Sequence, residues 1–295
     1  MPLLAAFIWG TAFVAQSVAA GTIGVLAYNC SRSVIASLFI GAMLLIRKRL
    51  PGYAKSHTET VSIKRVLFGG FCCGLFLTAG CYFQQKGLET TSAGKAGFIT
   101  ALYVVLVPLT ALFFRKRVRP FIWLCVLLAL GGLYFLCIKK GEDLTVEHGD
   151  VLVFFCAIAY TGQILCIDRF SREIDGVLLS FMQFAVQAVI CAILAPIFEK
   201  VSFAQIVSNL PSLLYVGVLS SGVGYTLQIL AQRDGNPTVV SILMSLESFF
   251  AAVSGAVILG DRLTGRELLG CALMLSAVLL SQLPEQRRKK ETLIQ

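Results

Sequence analysis

The sequence is poor in charge and nearly empty of histidine. Only 14% of its residues are charged, against about 25% in an ordinary soluble domain. No hydrophilic block is long enough to form a domain, the longest polar stretch being 47–65. Two histidines, His57 and His148, and ten cysteines without a C-x-x-C spacing offer no zinc-ligand pattern. The cysteines fall in or beside apolar stretches, where free thiols pack as small apolar groups. No Gly-x-x-x-x-Gly-Lys-Ser/Thr motif occurs, so a phosphate-binding loop is excluded. Zinc-finger spacing and aromatic–basic platforms are also missing, so the net charge of +9 is not the signature of a nucleic-acid partner.

What the sequence has is apolar surface. Apolar residues make up 57% of the chain, and the mean hydropathy is +0.82. A soluble fold of 295 residues has no interior large enough for that much apolar surface, so its natural solvent is lipid. Ten apolar runs of 18 to 23 residues lie at 3–20, 25–46, 66–85, 93–114, 120–138, 149–167, 176–198, 211–231, 237–259 and 266–283. A hydrocarbon core of about 30 Å needs about 20 helical residues. Spanning strands would be half that length and would alternate. The runs therefore predict an all-α membrane protein with ten transmembrane helices.

Proline placement supports these limits. Pro51, Pro120, Pro211, Pro237 and Pro284 fall at or just beyond run ends, and Pro2 and Pro196 lie near ends. Pro108 alone is well inside a run and predicts a kink in the fourth helix. With the N-terminus in the cytoplasm, seventeen Lys and Arg residues fall on the cytoplasmic side, among them Arg47, Lys64, Arg65, Arg115, Arg169, Arg172 and Arg287. Seven fall on the other side: Lys86, Lys95, Lys139, Lys140, Lys200, Arg262 and Arg266. That bias orients both termini inward, in the cell (inner or plasma) membrane. No positive residue precedes the first run, so cleavage as a signal peptide after Ser17-Val18-Ala19 is not expected. The abrupt start of that run leads us to expect an upstream start codon.

Order recurs along the chain. Residues 84–138 run from a Gln pair through a polar turn, a long apolar run and a basic turn to a Gly-containing apolar run, and 228–283 repeat that order. Five spans per unit is odd, so the second unit inserts inverted relative to the first, an arrangement that places a solute site at the repeat interface. The units divide the chain at 1–138 and 139–283, with a basic cytoplasmic tail at 284–295.

Particular stretches then resemble a known family. They are Trp9-Gly10-Thr11-Ala12-Phe13-Val14, Thr91-Ser92-Ala93-Gly94-Lys95-Ala96 and Leu102-Tyr103-Val104-Val105-Leu106-Val107-Pro108 in the first half. In the second half they are Leu246-Glu247-Ser248, Leu259-Gly260-Asp261-Arg262 and Leu269-Gly270. Together they resemble the EamA repeat of the drug/metabolite transporter superfamily. The resemblance implies ten helices in two inverted five-helix repeats and solute export or exchange, without fixing one solute. Ser248 stands where the family has proline, so the ninth helix is expected to be straighter than the fourth. Asp261 stands where Glu is usual, a mild change at a helix end.

Only Arg32 and Glu247 place a charge more than five residues inside a run. A carboxylate at mid-span costs roughly 2.5–3.5 kcal/mol on insertion scales. Glu247 reads either as a proton or cation-solute coupling group or as a structural carboxylate bonded to a neighbouring helix. Arg32 could bind a carboxylate or phosphate; an inter-helix tie, for instance to Glu247, or a snorkelling side chain is the favoured reading. Neutral polar residues fall on helix stripes. Gln16 shares a face with Trp9 and Phe13, Tyr103 with Thr100, Gln163 with Tyr160, and Gln228 with Gly217, Ser221 and Gly224. Ser241, Ser245 and Ser248 form another stripe, and Gln84 and Gln85 end the third helix. Polar groups facing hydrocarbon are costly, so these faces point inward. The Gly and Ser stripes read best as close packing. Gln16, Tyr103, Tyr160 and Gln163 read best as a cavity lining, with Trp9, Arg32, Gln84, Thr100, Tyr225, Gln228 and Ser245 as further candidates. Lys95, at an interface, is expected to be solvated.

The expected function is secondary transport of a small organic solute by alternating access, driven by a gradient because no ATP-binding motif is present. The expected partners are that solute and membrane lipid, with no cofactor, metal or nucleic acid, and the oligomeric state is left open. An intramembrane enzyme would need clustered acid, base or nucleophile groups at one depth, and neither His lies mid-span. A non-transporting scaffold would carry larger loops.

Overall fold

A computed structural model describes residues 1–49, 61–91, 93–113, 118–138, 146–259 and 264–293. Every regular element among the described residues is helical. In chain order they are α1 (Pro2–Ala19), α2 (Val25–Arg49), α3 (Ile63–Gly87), α4 (Ala93–Thr100), α5 (Tyr103–Phe113), α6 (Pro120–Cys137) and α7 (His148–Phe170). Then come α8 (Gly176–Phe198), the short α9 (Phe203–Ser208) and α10 (Leu210–Leu214), a wide-turn π segment (Tyr215–Gly224), α11 (Tyr225–Asp234), α12 (Pro237–Met244), α13 (Leu246–Leu259) and α14 (Gly265–Leu293). Among the described residues, eight helical stretches are long and apolar enough to cross a membrane, the last being Leu210–Asp234; the stretch Pro237–Ala251 is apolar but shorter. The chain is a multi-pass α-helical membrane protein. Pro51, Ser92, Asp261 and the basic residues Lys55, Arg115, Lys116, Arg117, Lys139, Lys140 and Arg262 lie outside the described residues.

Three expectations about helix continuity need correction. The fourth run is interrupted at Ala101–Leu102, not at Pro108, which lies inside α5. Tight i→i−3 bonds make the turn there: Leu102 N to Ile99 O (3.1 Å), Val104 N to Ala101 O (3.0 Å) and Val105 N to Leu102 O (2.9 Å). The ninth run is not straight, because it breaks at Ser245 between α12 and α13. Ser241 Oγ donates to Thr238 O and Ser245 Oγ to Ile242 O, each at 2.8 Å. Such back-bonding competes with the helical ladder. Pro284 does not end the tenth run, since α14 continues through it to Leu293.

The helices are inside-out relative to a soluble fold. Large apolar side chains such as Leu38, Phe68, Leu127, Ile193 and Leu279 are exposed on the periphery, while Gln16, Asn29, Gln163, Gln183, Gln187, Gln228 and Gln232 are buried. Two main apolar clusters fill the interior. One joins residues of α1, α5, α6, α12 and α14. The other joins residues of α2, α3, α7, α8 and α11, and Trp9 packs against both.

Antiparallel α2 and α8 are tied at both ends. Glu199, beyond α8, accepts from Leu26 N (2.8 Å) and Ala27 N (3.0 Å) at the start of α2. At the other end Arg47 Nη2 meets Asp175 Oδ2 at 3.0 Å, and Asp175 Oδ1 caps α8 through Val177 N and Leu178 N. Close by, Glu173 pairs with Arg65 and Arg169, whose guanidinium groups hold its exposed carboxyl below the usual range. Between α6 and α14 the backbones touch: a Cβ on Gly132 would stand 2.8 Å from Gly270 O, and one on Gly270 would stand 2.8 Å from Gly132 O. Only hydrogen at both positions permits that approach.

Candidate functional site

A cavity of about 40 Å³ lies at the junction of the two clusters. Helix α1 contributes Trp9, Phe13 and Gln16, one face at i, i+4, i+7 spacing. Helix α2 gives Arg32, α3 gives Gln84, and α7 gives Tyr160, Gln163 and Ile164. The π segment gives Ser220, and α11 gives Tyr225 and Gln228. Residues on either side of both helix breaks line this space. Thr100 and Tyr103 flank the break at Ala101–Leu102, and Met244 and Glu247 flank the break at Ser245.

Side chains of the wall are joined by long, weak bonds. Tyr225 OH donates to Tyr160 OH (3.4 Å), Tyr160 OH to Gln84 Oε1 (3.3 Å), and Gln84 Nε2 to Thr100 Oγ1 (3.4 Å). Gln228 Nε2 donates to Gln163 Oε1 (3.4 Å), and Gln163 Nε2 to Gln183 Oε1 (3.2 Å). Trp9 Nε1 donates to the backbone carbonyl of Ser220 (3.2 Å), and its ring lies 4.8 Å from that of Tyr225. Gly224 makes room for this indole: a Cβ there would stand 2.6 Å from Trp9 Nε1.

The two charges of the wall are set apart. Arg32 Nη1 donates to Gln16 Oε1 at 3.2 Å, and its Nε has no partner. Glu247 Oε1 accepts from Tyr103 OH at 3.4 Å. Arg32 and Glu247 form no ion pair with each other, so the inter-helix tie between them is absent. Arg32 does not snorkel either, being 2% exposed.

Of the candidates, Trp9, Gln16, Arg32, Gln84, Thr100, Tyr103, Tyr160, Gln163, Tyr225, Gln228 and Glu247 meet at this cavity. Ser245 is not part of its lining; its hydroxyl turns back to its own helix at Ile242 O. Phe13, Ile164, Ser220 and Met244 complete the wall. Phe13 and Ile164 follow from the same stripes, but an apolar residue carries no sign of its own. Ser220 contributes a backbone carbonyl, which side-chain identity does not announce. Lys95 is elsewhere and is not solvated. Its ammonium is buried beside Asp150 Oδ2 (3.4 Å) and Glu147 Oε1 (3.9 Å), and Thr91 Oγ1 donates to Asp150 Oδ1. That cluster joins α4 to the start of α7.

Comparison with known proteins agrees with this architecture. The model of the EamA-like transporter family matches residues 1–138 and again 148–283. An uncharacterized transporter of Archaeoglobus fulgidus is 30% identical over 286 residues, covering 95% of this chain and 84% of that protein. The threonine/homoserine exporter RhtA of Salmonella typhimurium is 32% identical over 219 residues, covering 72% of this chain and 70% of its own. One crystal structure superposes over 97% of this chain and 96% of its own length with a TM-score of 0.76, at 18% identity, and so shares the fold. With a family match across both halves, a multi-pass helical body and transporters as relatives, the chain belongs to the EamA-like transporter family and is a membrane transporter.

Proposed function

We propose that this transporter is a secondary active carrier that exports or exchanges a small organic metabolite by alternating access. One observation carries the reading: a central cavity walled from both halves of the chain and lined by residues flanking two helix breaks. Broken helices at mid-membrane are how carriers expose backbone groups to a solute. In this reading ten helices form two inverted repeats, 1–138 and 139–283, with both termini and the 284–295 tail cytoplasmic. Rocking of the halves exposes the cavity to each side in turn. The absence of an ATP-binding motif assigns the driving force to a gradient. The kinship with a threonine/homoserine exporter supports a small polar solute and an outward direction.

Glu247 is the coupling candidate of this reading, and the other polar wall residues are its solute ligands. The direct test is counterflow in proteoliposomes holding the purified full chain. Vesicles loaded with an unlabelled metabolite extract should accumulate labelled solute from outside. No accumulation of any solute would overturn the carrier reading. The coupling role has its own test. Glu247→Gln should flatten the response of transport to an imposed pH gradient, and an unchanged response would remove that role.

A further inference from the structure

We infer that a hydrated passage lined by glutamines leads from the central cavity toward the end of the bundle where α7 ends and α8 begins, and that the solute crosses that half of the membrane through it. The solute's use of the passage rests on the carrier reading; the passage itself does not.

Five glutamines carry the inference. Gln163 of α7, Gln183 and Gln187 of α8, and Gln228 and Gln232 of α11 are each 1% exposed or less. Gln163 and Gln228 belong to the cavity wall, and the other three lie beyond it. One chain of amides joins the three helices: Gln228 Nε2 donates to Gln163 Oε1, and Gln163 Nε2 to Gln183 Oε1. On α8, Ser180, Gln183 and Gln187 share a face at i, i+3, i+7 spacing. On α11, Tyr225, Gln228 and Gln232 do the same. The hydroxyls of Ser180 and Thr226 meet across these two helices at 2.8 Å.

Polar glue between membrane helices works when the groups satisfy one another. These do not. Gln183 Nε2, Gln228 Oε1, Gln232 Oε1 and both polar side-chain atoms of Gln187 have no protein partner. Leucine would fill the same positions without that cost, because a buried amide left unmet is penalised more than one that is missing. A row of amides with spare donors and acceptors suits bound water, which takes about three polar partners, and a hydrogen-bonding solute that follows the same groups.

The row ends on an apolar plug. Ile167 follows Gln163 by one turn, and Leu179 precedes Gln183 by one turn. Both are buried in one cluster with Cys73, Phe170, Ile174 and Ile229. At the same end, the ion pairs Arg47–Asp175 and Arg65–Glu173 tie α2 and α3 to the turn between α7 and α8. The plug therefore closes the passage at this end and is the gate that must part for the solute.

The test uses the full chain in liposomes carrying Gln183→Cys, Gln187→Cys or Gln232→Cys. A small, positively charged thiosulfonate is supplied on both faces, and peptide mass spectrometry reads each thiol separately. Native Cys191, one turn beyond Gln187 on α8 and buried in an apolar cluster, is the internal reference. The introduced thiols should react at least ten-fold faster than Cys191. Adding Leu179→Ala, which thins the plug, should raise the rate at Gln183→Cys several-fold. Gln183→Leu combined with Gln187→Leu should lower counterflow of an isotope-labelled whole-cell extract at least ten-fold without lowering the melting temperature in detergent. Melting curves exclude a variant that fails to fold, and any folded one of the three cysteine positions decides. Rates no faster than Cys191, or no response to Leu179→Ala, overturn the passage and leave the carrier reading intact. Wild-type counterflow by the folded double-leucine variant overturns the solute's use of it. Labelling needs no transport: a wild-type chain that exchanges nothing removes the carrier reading and the solute's route together, while the thiol rates still decide whether the passage exists.

Discussion

Lys95 and Asp150 are buried almost as deeply as Arg32 and Glu247, with exposures of 6% and 8% against 2% and 5%. The two sets are completed in opposite ways. At the contact of α4 with α7, the Lys95 ammonium faces two carboxylates, and Asp150 also takes the Thr91 hydroxyl and the Glu147 backbone N–H at 3.0 Å. In the central cavity each charge meets only a neutral partner at 3.2 Å or more. Burial alone therefore does not separate a structural charge from a functional one in this fold. Pairing does. The outer cluster has no unmet demand and acts as a brace, whereas Arg32 and Glu247 meet only neutral partners, as the proposed solute path requires.

The largest effect that sharpens this contrast is on transport. Arg32→Gln and Glu247→Gln should each cut solute exchange ten-fold or more without lowering the melting temperature in detergent, because each removes an ionisable group buried without a counter-ion. Next comes stability. Asp150→Ala breaks a buried pair and strands Lys95, with an expected loss of about 3 kcal/mol, read by thermal or denaturant unfolding. Exchange per folded molecule should stay near wild type. Tyr103→Phe removes one long bond to Glu247 and should cost about 0.5–1.5 kcal/mol, with a several-fold fall in exchange measured in the same vesicles. The smallest effect belongs to a third class of charge. Glu173, exposed at the surface among its arginine partners, should tolerate Glu173→Gln with no measurable change in melting temperature or exchange.

Much of the site was legible in the sequence because lipid makes polarity rare. Arg32 and Glu247 stood out as the only charges deep in an apolar run, and Gln16, Tyr103, Tyr160 and Gln163 stood out by helical spacing on otherwise apolar stretches. What was not legible depends on contacts between distant segments or on backbone geometry. Lys95 read as solvated because its partner Asp150 is 55 residues away. The break at Ser245 was hidden because a missing proline at Ser248 suggested continuity, while serine back-bonding interrupts the helix three residues earlier. Pro108 drew attention to the wrong point of the fourth run, whose turn is made by i→i−3 bonds around Ala101 and Leu102. The π segment and the Ser220 carbonyl beside Trp9 left no trace in residue identity.

The most direct measurement is solute exchange per folded molecule for Arg32→Gln, Glu247→Gln, Asp150→Asn and Glu173→Gln in one proteoliposome series. If unpaired burial marks the solute path, the first two are silent and the last two run near the wild-type rate. Wild-type exchange by Arg32→Gln beside a silent but folded Asp150→Asn would contradict it.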